Sequence, residues 1–426
     1  MRKSVIVCLA AFLFVSCQSQ RKLNRSAREL ILDKPELRSA HIGICVFDPL
    51  SGKYLYQWGD DKYFVPASNT KIPTCYAAMK YLGDSLPGLR VSNDGYRLYI
   101  EGTGDPSFLH PDFSSQPVFD YLRSMSDSGR SIYLSSAAWK TTAWGSGWSW
   151  SDYDASYMPE RSAFPIYGNV ATFRTGGAIP KVFSSALQQA APGSALSRVD
   201  RSLHSNEFRT TYVAGAGNRT VNVPFITSDS LTRSLLGEAV GRKILEPTVS
   251  TGITFRTIRS RPTDSLLKPM MHHSDNLFAE QSLLMAGYEF LGEMNERKLI
   301  DTLLKTDFSD LPHAPRWVDG SGLSRYNLFT PRDMVFILDK MRRQFGMERI
   351  RNIFATGGEG TLSSYYQSEK GFIFAKTGTL SGVVALSGFL FTSKNRLLIF
   401  SVLVNNHQTS ATEVRRSVES FLKGLR

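Results

Sequence analysis

The 426-residue sequence predicts an α/β fold, in which an antiparallel five-stranded sheet carries helices on both faces and is interrupted by a β-rich insertion. Three observations predict it. A strand–turn–strand pattern opens the folded part of the chain. Three consecutive apolar strands and a closing helix end it. Between them, from 90 to about 262, the chain is rich in Gly, Ser, Thr and aromatic residues with only short strand-like pieces. Two ends that each hold part of a sheet, around a middle of different texture, imply one domain split by another.

The elements follow in chain order. Arg2 and Lys3 precede Val5–Val15, an unbroken apolar run of eleven residues, the length of a signal h-region and too short to span a bilayer. Residues 1–16 are therefore predicted to be a signal peptide. Phe14-Val15-Ser16-Cys17 resembles a bacterial lipobox, with Phe where Leu is usual, and this implies lipid on Cys17 of an exported, periplasmic protein. Residues 17–28 are polar and basic and read as a tether. Residues 29–88 form the first part of the split domain. There Ile42, Ile44 and Val46 alternate, Asp48–Gly52 is a turn, Lys53–Trp58 returns as a strand, and Thr70–Leu82 reads as a helix ended by Gly83. Residues 89–262 are the insertion, with strand-like pieces at Tyr96–Glu101, Thr211–Ala214 and Thr254–Thr257. Residues 263–426 complete the split domain. Helical periodicity covers 264–306 and 331–354; strands are expected at Gly371–Ala375, Val383–Phe391 and Arg396–Val404, and a helix at Thr409–Leu425.

Composition narrows the function classes. With 42% hydrophobic and 21% charged residues, disorder and collagen-like repetition are excluded. The formal net charge of +12 falls by two, to +10, once Arg2 and Lys3 leave with the signal. Lys and Arg are scattered, which suits an anionic wall or membrane surface better than nucleic acid. Cys8 departs with the signal and Cys17 carries lipid, so only Cys45 and Cys75 enter the redox question. They are expected either as two buried free thiols or as a pair in an oxidising compartment. His272 and His273 are adjacent in sequence and face apart on a helix, so no metal constellation is expected.

Three short motifs carry chemistry. Ser68-Asn69-Thr70-Lys71 is the first. S-x-x-K also occurs at Ser19–Lys22, Ser265–Lys268 and Ser420–Lys423, but only Ser68 opens an apolar helix. Three residues apart, Ser68 and Lys71 share a helix face, so the amine can reach the hydroxyl. To act as its base, Lys71 must be partly neutral, which burial and a second nearby cation would favour. The second motif is Ser274-Asp275-Asn276. Its Ser could shuttle a proton to a leaving group, and its Asn could bond Lys71 and a substrate carbonyl. The plainer use of Ser274 is as a helix N-cap. The third motif, Lys376-Thr377-Gly378-Thr379, follows the apolar run Phe372–Ala375. Its cation and hydroxyls suit a carboxylate, Gly378 allows close approach, and the Thr379 N–H pairs with that of Ser68 as an oxyanion hole.

Occurring in this order, the three motifs resemble the acyl-serine superfamily of penicillin-binding proteins and β-lactamases. The gap between Lys71 and Ser274 is about twice that between Ser274 and Lys376. A long insertion at that place resembles the class C low-molecular-mass penicillin-binding proteins, the S13 peptidases. Glu101–Pro106, Asp319–Arg325, Gly358–Leu362 and Lys376–Gly382 extend the likeness over most of the chain, thinning from about 175 to 250. The resemblance implies the transpeptidase-like fold and a D-alanyl-D-alanine carboxypeptidase/endopeptidase acting on peptidoglycan stem peptides. It implies β-lactams as covalent inhibitors, no cofactor, no nucleic-acid partner, and membrane contact only through the N-terminal lipid.

By the same resemblance, Ser68 is the nucleophile, Lys71 its base, and Ser274 and Asn276 complete the proton path. Lys376, Thr377 and Thr379 hold the terminal carboxylate. Arg325, with Leu323, Leu380 and Ser381, lines the pocket for the stem-peptide side chain; a structural ion pair is the alternative for Arg325. In Gly147-Trp148-Ser149-Trp150-Ser151-Asp152 the family's first acid is Ser151 here, which leaves Asp152, with Asp154 in reserve, for a substrate amino group. Two other readings stand beside this one: a β-lactamase or esterase on the same scaffold, with Glu280 or Glu359 as deacylating acid, and a non-catalytic cell-wall-binding lipoprotein.

Overall fold

The computed structural model describes residues 21–426 other than 126–128, 188–190, 216, 218 and 248–253. The signal peptide and Cys17 lie outside the described residues.

Strands β1 (His41–Asp48) and β2 (Lys53–Trp58) form the expected hairpin, and the Asp48 carboxylate closes its turn by accepting the N–H groups of Leu50 and Ser51. A tight turn over Ala67–Thr70 then leads into α1 (Lys71–Tyr81), which is buried on nearly every side and ends before Gly83, whose φ of 70° only glycine adopts without cost. Ser68 thus sits on the turn before the α-helix rather than inside its first turn.

The middle of the chain runs β3 (Ser85–Asn93), β4 (Arg97–Gly102), α2 (Pro117–Ser124), β5 (Ser131–Ser135), β6 (Val170–Arg174), β7 (Gly177–Ile179), β8 (Ser194–Arg201), β9 (Phe208–Ala214), β10 (Val221–Pro224), α3 (Asp229–Val240), β11 (Ile244–Leu245) and β12 (Arg256–Pro262). One sheet has the order β11-β5-β4-β3-β12, a second β10-β6-β7, and β8–β9 is a separate hairpin. The stretch is not purely β. Its pairs β4–β5 and β5–β11 are parallel, and α2 and α3 lie in the connections that parallel strands require. Leu89, Ile100, Phe173, Phe208 and Leu236 belong to a core of its own.

The chain returns through α4 (Thr263–His272), α5 (Asn276–Leu291), α6 (Glu296–Lys305), α7 (Pro331–Phe345), α8 (Met347–Ile353), β13 (Ala355–Thr356), β14 (Ile373–Leu380), β15 (Val383–Phe391), β16 (Leu397–Asn405) and α9 (Ala411–Lys423). The main sheet has the order β13-β14-β15-β16-β1-β2 and is antiparallel throughout. It holds six strands rather than five, because two residues of β13 pair with Phe374 and Ala375. A two-residue strand has no periodicity to read. β14 also runs five residues past its expected end at Ala375, since Lys376 to Leu380 stay in register with Ser387 to Val383.

Two layers cover this sheet. Residues of α1, α4, α5, α7 and α8 pack on the face that carries Cys45 and Phe389. The opposite face, with Ile42, Ile44, Val46 and Leu386, packs against α9 and the first described residues. Those residues correct one expectation. Residues 21–27 are helical and Ala27 is fully buried, so the chain is already packed within the stretch read as a tether. The alternation of Leu23, Ala27, Leu30 and Ile31 with charges supplies an apolar stripe that α9 covers. Cys45 on β1 and Cys75 on α1 are both buried and free, so they do not pair.

Candidate active site

The turn that carries Ser68 is assembled by contacts from three directions. The Asn405 carboxamide at the end of β16 grips Val65, accepting its N–H at 2.8 Å and donating to its carbonyl at 3.1 Å. Asn69 Nδ2 donates to the Lys376 carbonyl at 2.8 Å, which fastens the turn to β14. Gly378 lets the strand come close, because a Cβ there would lie 2.7 Å from the Pro66 oxygen. Gly322 does the same from the other side: its Cβ would lie 1.9 Å from the Ala67 oxygen. Ala67 itself has φ 47°, the left-handed region that costs a non-glycine residue on the order of 1 kcal/mol or more. The turn is held in a strained shape by its surroundings, with Ser68 half-buried at its tip.

Lys71 is fully buried beneath it. Its Nζ donates to Ser68 Oγ at 3.1 Å, to Asn276 Oδ1 at 2.6 Å and to the Ser321 carbonyl at 2.8 Å. Burial brings the ammonium down from its usual range to about 8, against the opposing charges of Asp275, Asp319 and Glu280. The expected second cation is Lys376, but the depression of Lys71 comes from burial. The reverse effect is the visible one: burial and then the charge of Lys71 hold Lys376 well below its ordinary range.

The S-D-N run divides its labour. Asp275, not Ser274, caps α5, accepting the Phe278 N–H at 2.7 Å. That frees the Ser274 hydroxyl, on a residue with φ 61°, to accept from Lys376 Nζ at 2.9 Å. Asn276 spans two elements, receiving Lys71 on Oδ1 and donating Nδ2 to the Tyr157 carbonyl at 2.8 Å. Lys376 is fully buried and also donates to the Thr377 carbonyl at 2.8 Å.

These groups meet at a cleft of about 820 Å³. Ser68, Ser274, Asn276, Leu323, Arg325, Thr379, Leu380, Ser381 and Asp152 all line it. Lys71 and Lys376 lie under its floor. Thr377 does not line it: its hydroxyl donates to Thr361 Oγ1 at 2.7 Å, on the face of β14 opposite Lys376. Successive strand residues face opposite ways, which separates Thr377 from Lys376. The Thr379 hydroxyl accepts from Arg415 of α9 at 2.5 Å. Arg325 is exposed and donates to the Ser381 carbonyl at 3.0 Å, a backbone acceptor rather than a carboxylate. Asp152 ends the short helical turn Trp150–Asp152, and burial and then its carboxylate push the Tyr157 hydroxyl up. Asp154 does not line the cleft.

Of the two alternative acids, Glu280 is buried away from the cleft, accepting the Ser321 N–H at 2.7 Å and pairing with Arg161 at 3.2 Å. Glu359 pairs with Lys370 at 3.1 Å. Sequence reasoning missed Tyr157, Arg161, Ser321 as the source of the carbonyl that accepts from Lys71, and Arg415. Only Ser321 had a signal, its place in the Asp319–Arg325 run.

The chain as a whole is similar to known proteins. A D-alanyl-D-alanine carboxypeptidase of Actinomadura sp. (strain R39) is 25% identical over 441 residues, covering 90% of this chain and 81% of that protein. The D-alanyl-D-alanine carboxypeptidase DacB of Haemophilus influenzae is 23% identical over 465 residues, covering 96% and 94%. The crystal structure of penicillin binding protein 4 (dacB) from H. influenzae matches with a TM-score of 0.73 at 17% identity, over 95% of this chain and 98% of that one. A second structure of that protein, complexed with a β-lactam, matches at 0.65 and 18% identity, over 92% and 96%. These structures carry the fold, that of a penicillin-binding protein. Residues 23–424 match a single family over nearly the whole described chain, and the protein belongs to it: the D-Ala-D-Ala carboxypeptidase 3 (S13) family.

Proposed function

We propose that this S13 hydrolase acts on peptidoglycan stem peptides as a serine-type D-alanyl-D-alanine carboxypeptidase and endopeptidase, through an acyl intermediate on Ser68. The observation that carries the reading is the set of three acceptors around Lys71. An ammonium has three hydrogens and satisfies all three. A neutral amine has two; directed at Asn276 Oδ1 and the Ser321 carbonyl, which can only accept, they leave the lone pair aimed at the Ser68 hydroxyl. A depressed Lys71 supplies that neutral form near pH 8.

In this mechanism Lys71 takes the Ser68 proton as Oγ attacks the carbonyl between two D-alanines or at a D-centred cross-link. The N–H groups of Ser68 and Thr379 receive the oxyanion. Ser274, bonded to Lys376, delivers a proton to the departing amine, and water then hydrolyses the ester. Lys376 and Thr379 attract the terminal carboxylate, with Thr377 supporting β14 through Thr361. The edge of β14 beyond Ala375 has no strand beside it among the described residues, which suits an extended peptide lying along it. Asp152 and Arg325 stand at the rim, where the amine and carboxylate of a diamino acid would reach them.

The charged n-region, apolar run and lipobox-like Phe14–Cys17 support export to the periplasm and a lipid anchor at Cys17. No helix among the described residues is long and apolar enough to cross a membrane. Incorporation of labelled fatty acid, lost in Cys17→Ala, tests the anchor.

The central test combines two measurements. Labelled penicillin forms a covalent adduct whose peptide maps to Ser68 and disappears in Ser68→Ala. Mass spectrometry of muropeptides incubated with the enzyme shows loss of one D-alanine, cleavage of the cross-link, or both. An adduct on another serine overturns the assignment.

A further inference from the structure

Two buried carboxylates that do not line the cleft converge on the loop that holds Lys71. Glu280 lies one helical turn beyond Asn276 on α5 and is 1% exposed. Its Oε1 accepts the Ser321 N–H at 2.7 Å. Asp319 is fully buried, and its two oxygens accept from Gly322 N–H at 2.8 Å, Ser324 N–H at 2.7 Å, Asn327 Nδ2 at 2.7 Å and Trp148 Nε1 at 3.0 Å. The Gly322 N–H and the Ser321 carbonyl belong to one peptide group. That group is therefore polarised from both ends: Asp319 pulls on its N–H while Lys71 donates to its oxygen. Glu280 fixes the peptide group before it.

The far end of this network is in the insertion. The Arg161 guanidinium, fully buried, pairs with Glu280 at 3.2 Å and Glu296 at 3.2 Å, and donates to the carbonyls of Thr142 at 2.9 Å and Trp144 at 3.1 Å. Trp148, from the Gly147–Asp152 loop, closes the circle by its bond to Asp319. No water-activating role fits Glu280, since both its oxygens are engaged away from the cleft.

We propose that Glu280 and Asp319 are positioning residues for Lys71, gripping the two peptide groups that flank Ser321 so that its carbonyl aims the amine at Ser68, and that Arg161 ties this grip to the insertion. The inference rests on Lys71 being the base of the reaction. It makes the charge on Glu280 part of the control of Lys71. Burial and then the neighbouring Asp319 push Glu280 up to about 7, with Arg161 and the Ser321 N–H opposing and Glu296 adding to the rise. Lys71 in turn faces Asp275 and Glu280 from α5, Asp319 from its loop, and Lys376 from β14.

The test is the rate constant for acylation of Ser68 by penicillin as a function of pH, measured with thermal unfolding on the whole protein and two variants. Glu280→Gln removes a negative charge that favours the ammonium, so the acid limb of the profile moves to lower pH, by about one unit at the separations of a buried network. Glu280→Asp keeps the charge on a side chain one methylene shorter. Its acid limb stays in place while the plateau rate falls about tenfold through lost aim. A merely structural role would lower both amounts of active enzyme and move neither limb. If Glu280→Gln does not fold, Glu280→Asp carries the test alone, its plateau rate being normalised to the folded enzyme. Folded variants with the wild-type limb and plateau overturn the proposal. A wild-type profile without an acid limb, or an adduct away from Ser68, instead overturns the reading of Lys71 and is seen before any variant is compared.

Discussion

Asn276 Oδ1 accepts from Lys71 Nζ at 2.6 Å, joining two motifs that lie 205 residues apart. The bond fixes one hydrogen of the amine, and its acceptor is neutral. Asn276→Asp keeps the shape and adds a negative charge beside Lys71. A paired ammonium is harder to deprotonate, so the base is protonated over a wider range. Acylation at pH 7 is expected to fall about 100-fold, with its acid limb moved up by about two units. Pre-steady-state labelling across pH checks both.

The wild-type profile has its own signature. Lys71, depressed to about 8 by burial, must be neutral to act, so acylation rises with pH through that region. Lys376 must stay charged to attract a carboxylate, and it too is held below its usual range. Loss of that charge sets the second limb of the profile. The two lysines interact, so the limbs belong to the pair. A rate that declines steadily from pH 6 to 9 would contradict this.

Gly322 is predicted to be indispensable for a steric reason. At φ 85° a side chain is already strained, and its Cβ would sit 1.9 Å from the Ala67 oxygen. Gly322→Ala is expected to cost about 3 kcal/mol and to push the Ser68 turn out of line. Denaturant titration and penicillin labelling should fail together, whereas Gly52→Ala, at a positive φ with open space around it, should leave labelling intact.

Asp152 separates substrate recognition from chemistry. Asp152→Asn should lower kcat/KM for stem peptides bearing a free side-chain amine roughly three- to tenfold, as expected of a half-exposed charge pair. Penicillin, which has no such amine, should acylate Ser68 at the wild-type rate. Equal losses on both would move Asp152 out of the recognition role.

Cys45 and Cys75 should be silent until the fold opens. Burial holds both thiols well above their usual range, so neither offers a thiolate. A thiol reagent should find both only in denaturant, and reductant should leave the melting temperature unchanged.

What the sequence made legible follows from what each signal depends on. Ile42, Ile44 and Val46 announced β1 because one face of that strand is covered by α9 and the period is two. The three motifs were legible because their chemistry needs fixed residue types at fixed offsets. The left-handed Ala67 was not, since an alanine carries no mark of the neighbours that force it. Thr377 was assigned to the cleft by its place in the motif, but β14 continues through it and the pleat turns its hydroxyl to Thr361. Arg161 belongs to no motif, and its carboxylate partners are more than a hundred residues away in sequence.

The register of the main sheet has a consequence for how the protein is made. β1 lies between β2 and β16, with His41 opposite Asn405, so one of the first strands to leave the ribosome waits for the last. Asn405 also supplies the clamp on Val65 that shapes the turn carrying Ser68. Contacts of such long sequence separation form late and slowly. The turn that carries Ser68 is therefore complete only once β16 is in place. The enzyme switches itself on by finishing its sheet, and a chain that loses its final strand never gains the power to cut.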